Sequence, residues 1–210
     1  MRLTLYEIET TLCKASTGAG LPLGLGEDIG SAAIWLAGQN CDGVAAALES
    51  IQAGMSKVKM SDTGNGVMIF SDACIAVSGP SIVDLLIGDQ SCTEIHLCKP
   101  DSVMLLFGFA GVVANRYGYL FQFDFSNGAN VQVSGDKVVE TGEMHDLCSD
   151  VVVKSCIDQK GLAVAPMPAA GVDVDDELWC EVLALAAKNC VPESDASRVA
   201  GAGAGLTDND

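Results

Sequence analysis

Six charged side chains flank the two glycine-rich segments of this 210-residue chain. Lys14, Glu27 and Asp28 lie beside Gly18–Gly26, and Arg198, Asp208 and Asp210 lie around Gly201–Gly205. Carboxylates next to a loop of low side-chain bulk can hold a cation or an amine. An arginine beside them can clasp a carboxylate through two parallel hydrogen bonds. These six residues are the candidate ligand-binding set. A plainer use is also open: Arg198 paired with Glu27 or Asp28 would dock the tail onto the N-terminal loop, and such pairs are common outside active sites. The loop does not read as a phosphate cradle. No strand precedes it, no Gly-Lys-Ser/Thr ends it, and Glu27 and Asp28 stand at the following helix start, where a phosphate would sit.

The remaining reactive groups are sparse. His96 falls in an alternating stretch and reads as a core or sheet-face residue, whereas His145, in the polar run 142–146, could serve as a general base. Cys74, Cys156 and Cys180 sit in apolar contexts and read as small hydrophobes. Two histidines and no Cys-x-x-Cys pair argue against a structural zinc site, so no metal is expected. No Gly-x-Ser-x-Gly elbow marks a nucleophile, and neither a catalytic residue nor a cofactor can be named. The nine cysteines are an odd count. Glu7 and Glu9 interrupt any secretory apolar region, so free thiols in a reducing cytoplasm are expected. A formal net charge of -17 disfavours nucleic acid and anionic lipid. No run nears the ~20 apolar residues of a membrane span. A 49% hydrophobic content suffices for a real core.

Several elements must carry these groups. Residues 1–55 read as three helices. Thr4 and Glu7 make a capping box ahead of Leu5, Ile8, Leu12 and Ala15. After a loop over 17–26, Glu27 and Asp28 open a second helix with Ile29, Ala32, Ala33 and Leu36 inward. Asp42 caps a third, carrying Val44, Leu48 and Ile51. Short β-rich runs follow at 67–70 and 74–77, and Gly79-Pro80 reads as a helix start with proline in the first turn. Residues 93–98 and 103–107 read as strands, followed by a short helix to Arg116. Tyr119, Phe121, Phe123 and Phe125 alternate, Ser126-Asn127-Gly128 turns, and Val131 and Val133 return as a hairpin. A strand over 151–157, a linker over 166–171 and a final helix from Val174 to Ala186 complete the pattern. The expectation is an α+β fold: N-terminal helices packed on a mixed β-sheet body, with a C-terminal helix and a Gly/Ala-rich tail. It is expected to form one domain over 1–210, divided as 1–55, 64–160 and 172–210.

Glu7-Ile8-Glu9, Lys14-Ala15, Gly18-Ala19-Gly20-Leu21-Pro22, Gly24-Leu25-Gly26-Glu27-Asp28 and Ile34-Trp35-Leu36-Ala37 resemble the start of the bacterial domain-of-unknown-function 3726 family. Val191-Pro192-Glu193-Ser194, Ala196-Ser197-Arg198 and Gly201–Gly205 resemble its end. The resemblance implies that both glycine-rich segments belong to the domain, and it implies no activity. Two functions stay open. One is a small-molecule enzyme or ligand-binding protein of metabolism, with its site between the N-terminal helices and the body, because loops carry function disproportionately. The other is a non-catalytic accessory or assembly protein. A homodimer is expected on either reading, since twofold dimers are the commonest oligomers.

Overall fold

The Thr4 hydroxyl accepts from the Glu7 amide, and the Glu7 carboxylate accepts from the Thr4 amide at 2.8 Å, so the first helix begins where the capping box places it. The computed structural model describes residues 1–54, 58–89, 91–141, 150–157 and 171–189. In chain order it contains β1 (Arg2–Leu3), α1 (Leu5–Gly18), α2 (Leu23–Gly38), α3 (Gly43–Ala53), β2 (Lys59–Asp62) and β3 (Val67–Ser71). These are followed by α4 (Ile75–Gly88), β4 (Glu94–Cys98), α5 (Val103–Tyr117), β5 (Tyr119–Phe125), β6 (Asn130–Val133) and β7 (Val138–Thr141). Last come β8 (Val151–Ile157), β9 (Val172–Asp173), α6 (Asp176–Ala186) and a short 3-10 turn, Ala187–Asn189. The fold is α+β.

Seven strands form one mixed sheet in the order β2-β3-β4-β8-β5-β6-β7, while β1 and β9 pair separately. β3 and β4 are parallel and joined through α4. β8 runs antiparallel to both β4 and β5 and separates them. Alternation decides the two faces. Ile95, Leu97, Phe121, Phe123, Val131 and Val153 are buried, whereas Glu94, His96, Gln122, Asp124 and Lys154 are not. α5 covers the apolar face, where Phe107 meets Phe123 edge-on at 4.7 Å. The Ser155 hydroxyl, on that same face, donates to the Leu86 carbonyl of α4 at 2.7 Å. Trp35 of α2 donates from its indole nitrogen to the Gly135 carbonyl at 3.2 Å, tying the second helix to the β6–β7 turn.

Several expectations require correction. The loop read over 17–26 is only Ala19–Pro22. Leu21 donates to the Ser16 carbonyl and Gly20 to that of Thr17, closing α1 in a Schellman motif with Gly20 at φ +94°. Gly24 and Gly26 therefore lie inside α2, and Glu27 and Asp28 are in its second turn rather than at its start. Gly26 serves packing: a Cβ there would stand 2.9 Å from the Cys13 carbonyl oxygen of α1. The stretch 74–77 is no strand, since α4 begins at Ile75, and Gly79-Pro80 is interior to that helix. Gly79 lets α4 approach α5, because a Cβ would fall 2.5 Å from the Phe109 ring. Residues 103–107 are the first turns of α5, not a strand. An apolar run looks the same in a buried helix and a buried strand, and here the helix continues through Gly108, Ala110 and Gly111 against α2. Cys74 is buried as expected, but Cys156 and Cys180 are exposed.

Candidate functional site

Asp28 projects from the second turn of α2 into a cleft of about 190 Å³ between α2, α4 and α5. Asp84 of α4 and Arg116 and Tyr117 of α5 line it with Val83 and Phe109. Packing sets this convergence. Ile29 and Leu36 of α2 are fully buried, which turns Asp28 along the helix flank, and Gly79 and Gly111 bring the three helices close. Partial burial pushes the Asp28 carboxyl up from its usual range. The carboxylates of Asp84 and Glu27 push the same way, and the Arg116 guanidinium opposes them. Neither Asp28 nor Asp84 makes a hydrogen bond or close ion pair with any described residue. The cleft thus presents two exposed carboxylates, with no hydrogen-bonded or ion-paired partner among the described residues, beside one guanidinium over an apolar wall. Such a site attracts a cation, and Asp28 ionises more readily once a cation is bound.

The other sequence candidates fall elsewhere. Glu27 is exposed on the α1 side of α2, and its charge helps to raise the Cys13 thiol, for which burial is the larger cause. Lys14 is exposed on α1, and its carbonyl accepts from the Asn189 side chain at 2.5 Å. Neither lines the cleft. Arg198, Asp208, Asp210 and His145 lie outside the described residues, as does most of the 166–171 linker. Sequence reading missed Asp84 and Arg116. Both left a signal: Asp84 is a lone charge in an otherwise apolar helix, and Arg116 is one of three arginines in the chain.

Two further polar groupings stand apart from this cleft. On the sheet face that the described helices leave uncovered, His96 pairs with Glu94 at 2.9 Å, and Lys154 bridges Glu94 at 3.4 Å and Asp124 at 3.6 Å. His96 is therefore a sheet-face residue, as its alternation suggests. At the starts of α4 and α5, Asp101 accepts from the Ser50 hydroxyl at 3.0 Å and the Ile75 amide at 2.9 Å, while its second oxygen is buried without a partner. Burial pushes the Asp101 carboxyl up, and its hydrogen bonds only partly offset that. A raised folded pKa favours the protonated form. Its stabilising contribution is complete below the unfolded value, near pH ~4, and is lost as pH rises through the folded value. Asp101→Asn keeps one accepting oxygen and removes this titration. Thermal melts should therefore lose stability less steeply between about pH 4 and 7 than the native chain does, and parallel profiles would contradict this.

Among the described residues, no group of three His, Cys, Asp or Glu side chains is arranged to hold a metal ion. Among them, no helix is long and apolar enough to cross a membrane. The seven cysteines in the described residues are unpaired; Cys148 and Cys190 lie outside them.

The architecture is thus an α+β protein in which helices cover one face of a mixed sheet and leave a carboxylate-lined cleft among themselves. Residues 3–67 match the family described as "Protein of unknown function (DUF3726)", and the chain resembles that family over this span. The span covers α1, α2, α3 and β2 and contains Asp28, but neither Asp84 nor Arg116. No curated protein matches the chain. Among solved structures, the chain is similar to malate dehydrogenase from Entamoeba histolytica, with a TM-score of 0.49 and 9% identity over 70% of this chain and 50% of that one. It is similar to malate dehydrogenase from Pyrococcus horikoshii OT3, with a TM-score of 0.48 and 12% identity over 67% of this chain and 49% of that one. The chain thus spans about half the length of either structure.

Proposed function

We propose that this protein is a small-molecule enzyme or ligand-binding protein whose ligand carries a cationic amine and sits in the cleft between α2, α4 and α5. One observation carries the reading: Asp28 and Asp84 open into the same partly apolar cleft and are spent on no described partner. Burial and the neighbouring carboxylates make the Asp28 charge costly, and an ammonium group would relieve that cost, with exposed Asp84 as a second anionic contact. Arg116 offers a place for an anionic end, so a small zwitterion fits better than a bare diamine. Val83, Val112 and Phe109 would take its apolar part.

Arg198, Asp208 and Asp210 keep their place in this reading as tail groups that dock beside the N-terminal helices. The support is where the described chain stops. Asn189 is bonded to the Lys14 carbonyl, and Gly18 lies so close to Leu185 that a Cβ would meet its carbonyl oxygen at 2.0 Å. Arg198 lies within roughly 30 Å of extended chain from that point. One buried cluster joins residues of α1, α2, α4, α5 and the sheet, which supports reading 1–210 as one domain. The accessory-protein reading finds less support. Among the described residues the eight exposed large apolar side chains fall on Met1 and on seven different elements.

The test is a thermal-shift screen of primary amines, diamines, amino acids, carboxylates and divalent metals, since a ligand that prefers the folded state raises its apparent stability. Amine-bearing compounds should raise the melting temperature, with zwitterions above simple amines. Stabilisation by carboxylates or metals alone would overturn the proposal. In the reducing compartment this reading assumes, all nine cysteines should titrate as free thiols in denaturant without reductant. A count well below nine would contradict that compartment.

A further inference from the structure

A second concave surface lies beside α3 and shares no lining residue with the carboxylate cleft. It is a groove of about 530 Å³ between α3 and α6, with the start of α5 at its base. Ala45, Leu48, Met104 and Leu178 form an apolar floor. Its walls carry Asp42, Glu49 and Glu181, all exposed, and among the described residues no basic side chain lines it. Gln52 of α3 donates to Glu181 of α6 at 2.7 Å and closes one end. The groove has a structural origin. α6 buries Trp179 and Val182 against the core and half-buries Leu178, Leu185 and Ala186, while Glu181 reaches across to Gln52 of α3.

We propose that this groove docks a basic, amphipathic helix of a partner protein. An apolar floor between two helices, with side chains spaced along it, accepts a helix face rather than an extended strand. The carboxylate rim selects lysine or arginine beside that face, whose stems cover apolar surface while their charges reach the rim. A second copy of this chain fits poorly, because it brings the same acidic rim and a net charge of -17. The inference is independent of the amine cleft, since no residue lines both.

The test uses the full chain and a fluorescein-labelled helical peptide of lysine and leucine, patterned to be apolar on one face, at physiological ionic strength. Fluorescence anisotropy should show saturable binding. Glu49→Lys, on the rim, should weaken it roughly tenfold. Asp62→Lys, an exposed change of equal charge on β2, should weaken it less than about twofold. Ala45→Trp, which fills the groove, should abolish binding while the far-ultraviolet circular dichroism stays native. Equal losses from Glu49→Lys and Asp62→Lys would reduce the effect to general charge attraction and overturn the proposal. An absence of saturable binding would overturn it too. A native dimer dispersed by Ala45→Trp would assign the groove to a second copy and equally overturn it.

Discussion

Phe107→Ala is expected to destabilise the chain by about 3–5 kcal/mol, the usual cost of emptying a large aromatic site in a core. Phe107 is fully buried on α5, and its ring stands edge-on to Phe123 at 4.7 Å and to Phe125 at 6.4 Å. These rings join the helix layer to the centre of the sheet, so the cavity would open where α5 bears on β5. The surroundings can close it only in part. Gly108 and Gly111 already bring α5 against α2, with no slack toward Ala32 or the Trp35 ring. Thermal melts should show a fall of ~6–20 °C, at roughly 2–4 °C per kcal/mol for a chain of this size. A loss under about 1 kcal/mol would mean that the helix–sheet contact is not where the fold is held.

The second large effect concerns ligand affinity rather than stability. Asp28→Asn and Asp84→Asn should each weaken the amine ligand by about 1 kcal/mol, the upper range for an ion pair made by a solvent-exposed carboxylate. The free protein should respond differently. The Asp28 carboxyl is raised by burial and by the neighbouring carboxylates of Asp84 and Glu27, so its charge is a cost to the unliganded fold. Asp28→Asn should then leave the melting temperature unchanged or slightly higher at neutral pH. That combination marks a group retained for binding. The pH sense follows from the same shift. A raised carboxyl stabilises the fold in its protonated form, a contribution that fades as pH rises through the folded pKa. Amine affinity runs the other way, falling as pH drops and Asp28 takes up its proton.

The features legible in the sequence are those encoded by neighbours in the chain. Thr4 and Glu7 are three residues apart, and their reciprocal capping forms as their spacing implies. The alternation of Phe121, Phe123 and Phe125 and the turn at Gly128, with φ +89°, reappear as the β5–β6 hairpin. Asp42 caps α3 through the Ala45 amide at 2.9 Å. Position along the chain could not show which glycines turn and which pack. Gly20 turns, whereas Gly26, Gly79 and Gly111 admit a neighbouring helix or ring, and only the tertiary partner tells them apart. α5 was illegible for a related reason. It is buried on so many sides that no apolar stripe stands out, and its first turns imitate a strand. The site was half legible. Asp28 was marked by its place after the glycines, but Asp84 and Arg116 reach it only through the packing of α4 and α5 on α2. Glu27, its chain neighbour, is carried by the helical turn to the flank facing Cys13, and Lys14 stays on α1.

The central claim is that the cleft between α2, α4 and α5 binds an amine through Asp28 and Asp84. Isothermal titration of the amine that most raises the melting temperature, into the native chain, Asp28→Asn, Asp84→Asn and Glu27→Gln, tests it most directly. The account predicts one site per chain, with affinity lost by roughly fivefold or more in both aspartate variants, the fold-change of about 1 kcal/mol, and nearly unchanged in Glu27→Gln. Native affinity in Asp28→Asn and Asp84→Asn, or a loss confined to Glu27→Gln, would contradict it.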